Sequence, residues 1–244
     1  MARRVGWPTA LVALASLALA GCAAGHGGTE PITSPTAGPA TTPTHAALAF
    51  PQPAIDYFTT IAFGAEYGGS PEIVKWEEDV KIAVHGDPTS TDLSTLDDVV
   101  SDLNDLIGTI DVSVVTSNQN VDMYFAPEAD FSSLEPSYVP DNMGFFHFLW
   151  DGSGRITTSR ILISTTGVTQ AERSHLIREE LTQSFGLAQD SYTYEDSMFY
   201  QGWTSTPKYS RYDEMLIQML YLPAIKPGMD VTQALAVIPL RSGT

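Results

Sequence analysis

The sequence predicts an α+β domain with a mixed, mainly antiparallel sheet, and three observations carry that prediction. Two segments repeat apolar residues at helical spacing, Leu93–Ile107 and Ile177–Phe185. Several short runs alternate apolar and polar residues instead, as half-buried strands do. The order along the chain is helix, strand, helix, strand, strand, loop, strand, helix, with further helical texture at the end.

The first helix is expected from Ile55 to Tyr67, on the spacing of Ile55, Phe58, Ile61 and Ala62, with Gly68-Gly69 as its stop. "VKIAVHG" (80–86) sets Val80, Ile82 and Val84 against Lys81, Ala83 and His85, the pattern of a strand that His85 ends. Leu93, Leu96, Val100, Leu103 and Ile107 form one stripe of a long helix. Asp97, Asp98, Asp102 and Asp105 lie on its other side, without calcium-loop spacing, and read as a solvated face. "DVSVVT" (111–116) and "VDMYFA" (121–126) are strand-like. Asn118-Gln119-Asn120 between them suits a tight antiparallel turn. A loop is expected over 127–154, then a strand over "RITTSRILIS" (155–164). After Asp190 come a loop, a helix from Ser210 to Tyr221 and a small C-terminal helical subdomain.

Before the domain lie two segments of different character. Arg3 and Arg4 precede an apolar run, Thr9–Ala20, too short to span a bilayer comfortably. Leu19-Ala20-Gly21-Cys22 follows and resembles a bacterial lipobox, which implies cleavage before Cys22, diacylation of its thiol and acylation of the new amino terminus. Cys22 is the sole cysteine, so a lipid-modified chain has no disulfide. Each buried acyl methylene adds about 0.8 kcal/mol, enough for several chains to hold a soluble domain on the extracytoplasmic face of a membrane. The expected organisation is a signal peptide over 1–21, a Pro/Thr/Gly-rich tether over 22–53 that holds His26 and His45, and one domain over 54–244.

Cleavage removes Arg3 and Arg4 from the 12 basic residues. It leaves 10 against 29 acidic residues and moves the formal charge from −17 to −19. Such a surface repels nucleic acid and anionic head groups. Solubility outside a cell accounts for it, and basic peptides or cations are the ligands it would attract.

The chemistry centres on "HLIREELTQSFGL" (175–187). Thr169-Gln170-Ala171-Glu172 is a capping box and Gly186 a natural stop, which fixes a helix of about four turns. Ile177, Leu181 and Phe185 share the side that packs on the sheet. His175, Glu179 and Gln183 make a row on the opposite side, flanked by Glu180. A site-bearing helix and an ordinary solvated helix both look like this, and the second is commoner.

Set against the H-E-x-x-H-x-x-G-L run of zinc proteases, Glu179 and Gln183 occupy the metal-ligand positions and Glu180 that of the general base. The preceding strand and helix layout, and Asp196-Ser197-Met198-Phe199-Tyr200 as a counterpart of the S-x-M-x-Y turn, resemble the zincin fold. "REELTQSFGLAQDS", "AFGAEY", "DSMFY" and "LIQMLYLPAIKPGMD" together resemble an uncharacterised family of secreted bacterial proteins. Its hallmark is E-E-x-x-Q-x-x-G-L followed by N-D-S. The likeness runs from about Phe58 to Met229, with Gln189-Asp190-Ser191 as a departure from N-D-S.

An all-oxygen set of Glu179, Gln183 and Gln189 or Asp190 suits calcium or magnesium better than zinc, so the expected cofactor is none, or a weakly held divalent cation. His175 could add a nitrogen but falls outside the zincin metal position. His147 in "GFFHFLW" reads as a packed loop histidine. A glycosidase-like carboxylate pair from Glu180 with Asp190 or Asp196 ranks below the metal readings.

The leading expectation is a membrane-anchored, zincin-like module without a competent zinc site. Glu179, Gln183, Gln189, Asp190, His175 and Tyr200 would line a cleft that binds a peptide or envelope ligand. The alternatives are a divergent metallopeptidase-like hydrolase with Glu180 as general base, and a scaffold in which the row is structural.

Overall fold

Five strands and six α-helices were located in a computed structural model, which describes residues 48–63 and 71–241. The elements are α1 (Gln52–Phe63), β1 (Val80–Gly86), α2 (Ser90–Leu106), β2 (Val112–Val114), β3 (Val121–Ala126), α3 (Phe131–Leu134), β4 (Gly144–Trp150), β5 (Ile156–Ser164), α4 (Gln170–Gln183), α5 (Arg211–Leu220) and α6 (Val231–Leu235). The expected lipobox, signal peptide and most of the tether lie outside the described residues, as do Tyr67 and the Gly68-Gly69 stop. No helix among the described residues is long and apolar enough to cross a membrane.

The class is α+β and the sheet is mixed, in the order β2-β1-β3-β5-β4. Its balance is the reverse of the expected one. β1 pairs in parallel with β2 and β3, β3 pairs in parallel with β5, and only β4 is antiparallel. The reason lies at Asn118-Gln119-Asn120, which turns no hairpin. Val115 N–H donates to Ile82 O and Asn120 N–H to Lys81 O, so residues 115–120 carry the chain across β1 to its far side. The Asn120 side chain fixes that crossing, accepting from Lys81 N–H at 2.7 Å and donating to Asp79 O at 2.8 Å.

The stretch 127–154, expected as a loop, holds α3 and the edge strand β4. Its apolar run shows no alternation because both faces of β4 are covered over Gly144–Phe148, with Leu149 exposed beyond them. Phe145 joins Phe131, Tyr138 and Leu162 in a cluster on one face, while α4 packs on the other. The polar edge of that cluster is Glu135, which meets His147 at 3.1 Å. Burial alone would raise its carboxyl, but hydrogen bonds from His147 and Ser137 override that and hold it at about 2.

In α2 the buried stripe is Leu96, Val99 and Leu103, with Leu93 exposed and Val100 half-buried, a shift of one residue from the expected face. Asp92 turns inward in its place, to Gln170 at 2.7 Å and Arg173 at 3.2 Å on α4. Described residues before 54 also pack into the domain. Phe50 is buried, bridges Leu240, and leads straight into α1. An antiparallel edge strand, β4, lies beside β5, the strand that leads into α4.

Candidate functional site

Thr169 accepts from the Glu172 amide while the Glu172 carboxylate accepts from the Thr169 amide at 2.7 Å, so α4 starts where its capping box dictates. It ends at Gly186, whose φ of 111° favours glycine and whose Cα rests against the Val74 carbonyl with no space for a Cβ. Between these points Ile177, Leu181 and Phe185 are buried, α4 packs on β4 and β5, and the Phe185 ring meets Tyr221 edge-on. Each stabilises the fold by about 1.5–3 kcal/mol relative to exposure.

The opposite side of α4 is not solvated. Residues 189–209 cover it as a strap that meets the last turn at Asp190, reaches the first turn at Trp203, and then follows α4 forward until Tyr209 again lies beside the last turn. Gln183 Nε2 donates to Asp190 Oδ1 at 2.5 Å, and Thr182 shares a 2.6 Å hydrogen bond with the Tyr209 hydroxyl. Arg178 donates to Pro207 O at 3.1 Å, reaches Asp102 of α2 at 2.6 Å, and lies over the Tyr209 ring. His175 Nδ1 is 2.8 Å from Thr206 O, and Trp203 Nε1 donates to Glu172 at 2.8 Å. None of Thr206, Pro207 or Tyr209 is marked by residue type, which is why sequence reasoning misses them. They present backbone carbonyls and a phenol to a helix whose own pattern reads as surface.

The expected row therefore assembles, but under cover. His175 is 4% exposed, Glu179 8%, Glu180 1% and Gln183 0%. Glu180 points the other way from the strap, toward the edge strand. A Cβ on Gly144 of β4 would come within 2.5 Å of its Oε1, so the glycine is what lets the carboxylate lie against the strand. The expected open cleft around Glu179, Glu180 and Gln183 is a packed interior, with the strap on one flank and β4 on the other. Gln189 and Asp190 are half-buried where the strap begins, with Gln189 N–H donating to Ile61 O. Tyr200 is half-buried farther along, its ring beside Gly202 and Tyr192.

A second buried polar group supports the strap from below. Ser197 donates to Asp213 Oδ1 at 2.5 Å and shares a 2.9 Å bond with Tyr57, while Met198 N–H donates to Asp213 Oδ2. Asp213 also accepts from the Ser210 amide in the capping box of α5. Burial raises the Asp213 carboxyl although these donors pull the other way. The spacing Ser210-x-x-Asp213 was a readable signal for this anchor, because the box puts an acid at that helix start. At the far end of α5, Lys75 donates to the carbonyls of Leu220 and Ile225, and burial pushes its amine down to about 8.

His175 is the one imidazole in the row. Burial disfavours its charge, but the Glu179 carboxylate at 3.4 Å and the Thr206 carbonyl outweigh that, and its pKa is raised. The donor set does not fit a resident zinc ion. Gln183 is engaged with Asp190, Glu179 with His175, and Glu180 lies against the opposite wall. Among the described residues no three His, Cys, Asp or Glu side chains converge on a point where a metal ion could be held.

Residues 52–240 match the model of a family described as Protein of unknown function (DUF2927). No curated protein matches the chain. Two solved structures of myroilysin are similar to it at 11% sequence identity. One has a TM-score of 0.40 over 62% of this chain and 83% of myroilysin, the other 0.39 over 63% and 86%.

Proposed function

The chain belongs to the DUF2927 family, and we propose that it is a lipid-anchored domain on the extracytoplasmic face of a cell membrane that binds a peptide or other envelope component without hydrolysing it. The observation that carries this reading is the burial of Glu180. A general base must come within hydrogen-bond reach of a water or substrate proton. Glu180 is 1% exposed and lies against Gly144, and the neighbouring Glu179 and Gln183 are spent on His175 and Asp190. Gln183, with His175, Arg178 and Thr182, then serves to hold the strap on α4, and ligand contact falls to the outer surface.

Two measurements test the two halves of the proposal. The mature protein, incubated with a broad peptide library and with zinc, calcium or magnesium, leaves every peptide intact, and Glu180→Gln lowers the melting temperature. Cleavage that disappears in Glu180→Gln while the melting temperature holds would overturn the non-catalytic half. For the anchor, Cys22→Ser releases the protein from the membrane fraction or leaves the precursor uncut. Unchanged membrane association of a cut Cys22→Ser chain would overturn it.

A further inference from the structure

We propose that the outer side of the strap, residues 189–207 with Glu172, is a docking ledge for a basic peptide segment whose Lys or Arg side chains lie against the rings of Tyr192, Tyr200 and Trp203. This deepens the binding reading above and rests on it.

Three observations meet there. First, large aromatic rings stand in solvent: Tyr192 is 68% exposed and Trp203 58%. Exposed rings of this size are uncommon on a surface that has no use for them.

Second, the rings are held in place. The Trp203 indole is pinned by its bond to Glu172. Tyr192 packs edge-on against Tyr200 with centroids 5.8 Å apart, and the backbones of Ser191 and Tyr200 are bridged. Gly202 lets the Tyr200 ring lie flat against the chain, where a Cβ would collide with it. Rings fixed before binding lose little freedom on contact.

Third, the charge there is predominantly negative. Residues 189–209 contain Asp190, Glu195 and Asp196 against a single cation, the exposed Lys208. Glu172 adds a fourth carboxylate, kept ionised by the Thr169 amide, the Trp203 indole and the Thr169 hydroxyl, which are neutral and do not cancel its charge. Its neighbour Arg173 turns away to Asp92 and Gln170 on the α2 side. A cation over an aromatic face, with carboxylates around it, satisfies both features at once. An anionic lipid or polymer would be repelled, and a neutral glycan would leave the carboxylates unused.

The test titrates the mature full-length protein with ten-residue oligolysine and oligoarginine, with oligoglutamate as control, by calorimetry and tryptophan fluorescence. The basic peptides bind, more weakly as salt rises, and oligoglutamate does not. Trp203→Ala and Tyr192→Ala each weaken binding about tenfold, while Trp203→Phe, which keeps a ring, stays within about threefold. The Glu195→Gln, Asp196→Asn double variant flattens the salt dependence. These side chains are exposed, and unchanged melting temperatures confirm that the variants fold. Three outcomes overturn the proposal: no binding of basic peptide, binding that ignores the ring substitutions, or preference of the same rings for a neutral oligosaccharide. Mass spectrometry of the recovered peptide separates this from the reading beneath it. A cleaved peptide would overturn the non-catalytic function and leave the ledge standing.

Discussion

The neighbouring helices α2 and α4 begin alike and finish in opposite surroundings. Each opens with a threonine capping box, and each sets an apolar stripe against a row of charged and polar residues. On α2 the row Asp97, Asp98, Asp105 is exposed, and only Asp102 is drawn in, by Arg178. On α4 every residue from His175 through Leu187 is buried. The difference is not in the helices. Nothing in the described fold lies over the outer side of α2, whereas the strap lies along α4 and supplies a partner at nearly every turn. Helical periodicity reports which side faces the sheet and is silent about a segment that arrives later in the chain.

The contrast can be broken most severely at the exit of α4. Gly186→Ala places a Cβ on the Val74 carbonyl at a backbone angle that alanine disfavours. Chemical denaturation should show a loss of about 3 kcal/mol or more, or no folded protein at all. Next comes Arg178→Ala, which strands Asp102, frees the Pro207 carbonyl and uncovers Tyr209. We expect a loss of about 2–4 kcal/mol, and faster proteolysis within 189–209 than in the rest of the domain. A cost near zero would mean that the strap does not depend on α4.

A subtler effect follows from His175. Its folded pKa lies above the unfolded value, so the stability it contributes is complete below about pH 6.5 and fades as pH rises through the elevated folded value. Melting temperature should decline over that window, and His175→Gln should flatten the decline. Smallest of all is Asp98→Asn on the exposed row of α2, where the change should stay within about 0.5 kcal/mol. An effect there as large as that of Arg178→Ala would erase the distinction between the two helices.

How much of this was legible in the sequence differs by kind of interaction. Local signals carried through. The capping box at Thr169, the stop at Gly186, the full span of β1 and β3 and the helix after Ser210 are all where residue patterns put them. Pairing direction was not legible, because an Asn-rich stretch that turns a hairpin and one that crosses a strand have the same composition. Asn120 does the second by bonding to Lys81 and Asp79. β4 was hidden because both its faces are covered over Gly144–Phe148, which removes the alternation that marks a strand. At the candidate site, the residues of the row were readable from spacing, which also grouped Glu179 and Gln183 with Gln189 or Asp190. Their burial was not, since it is made by Thr206, Pro207 and Tyr209, whose contributions are carbonyls and packing.

The junction at Phe50 has a mechanical consequence. Phe50 N–H donates to Pro239 O at 2.8 Å, Arg241 N–H donates to Phe50 O at 2.8 Å, and the Arg241 guanidinium donates to Ala49 O at 3.0 Å. A pull applied through the chain that precedes Phe50 loads this short ladder before it reaches α1. Such a ladder acts as a fuse. It would part under tension first, lengthening the reach of the domain by a few residues while the sheet and α4 remain intact.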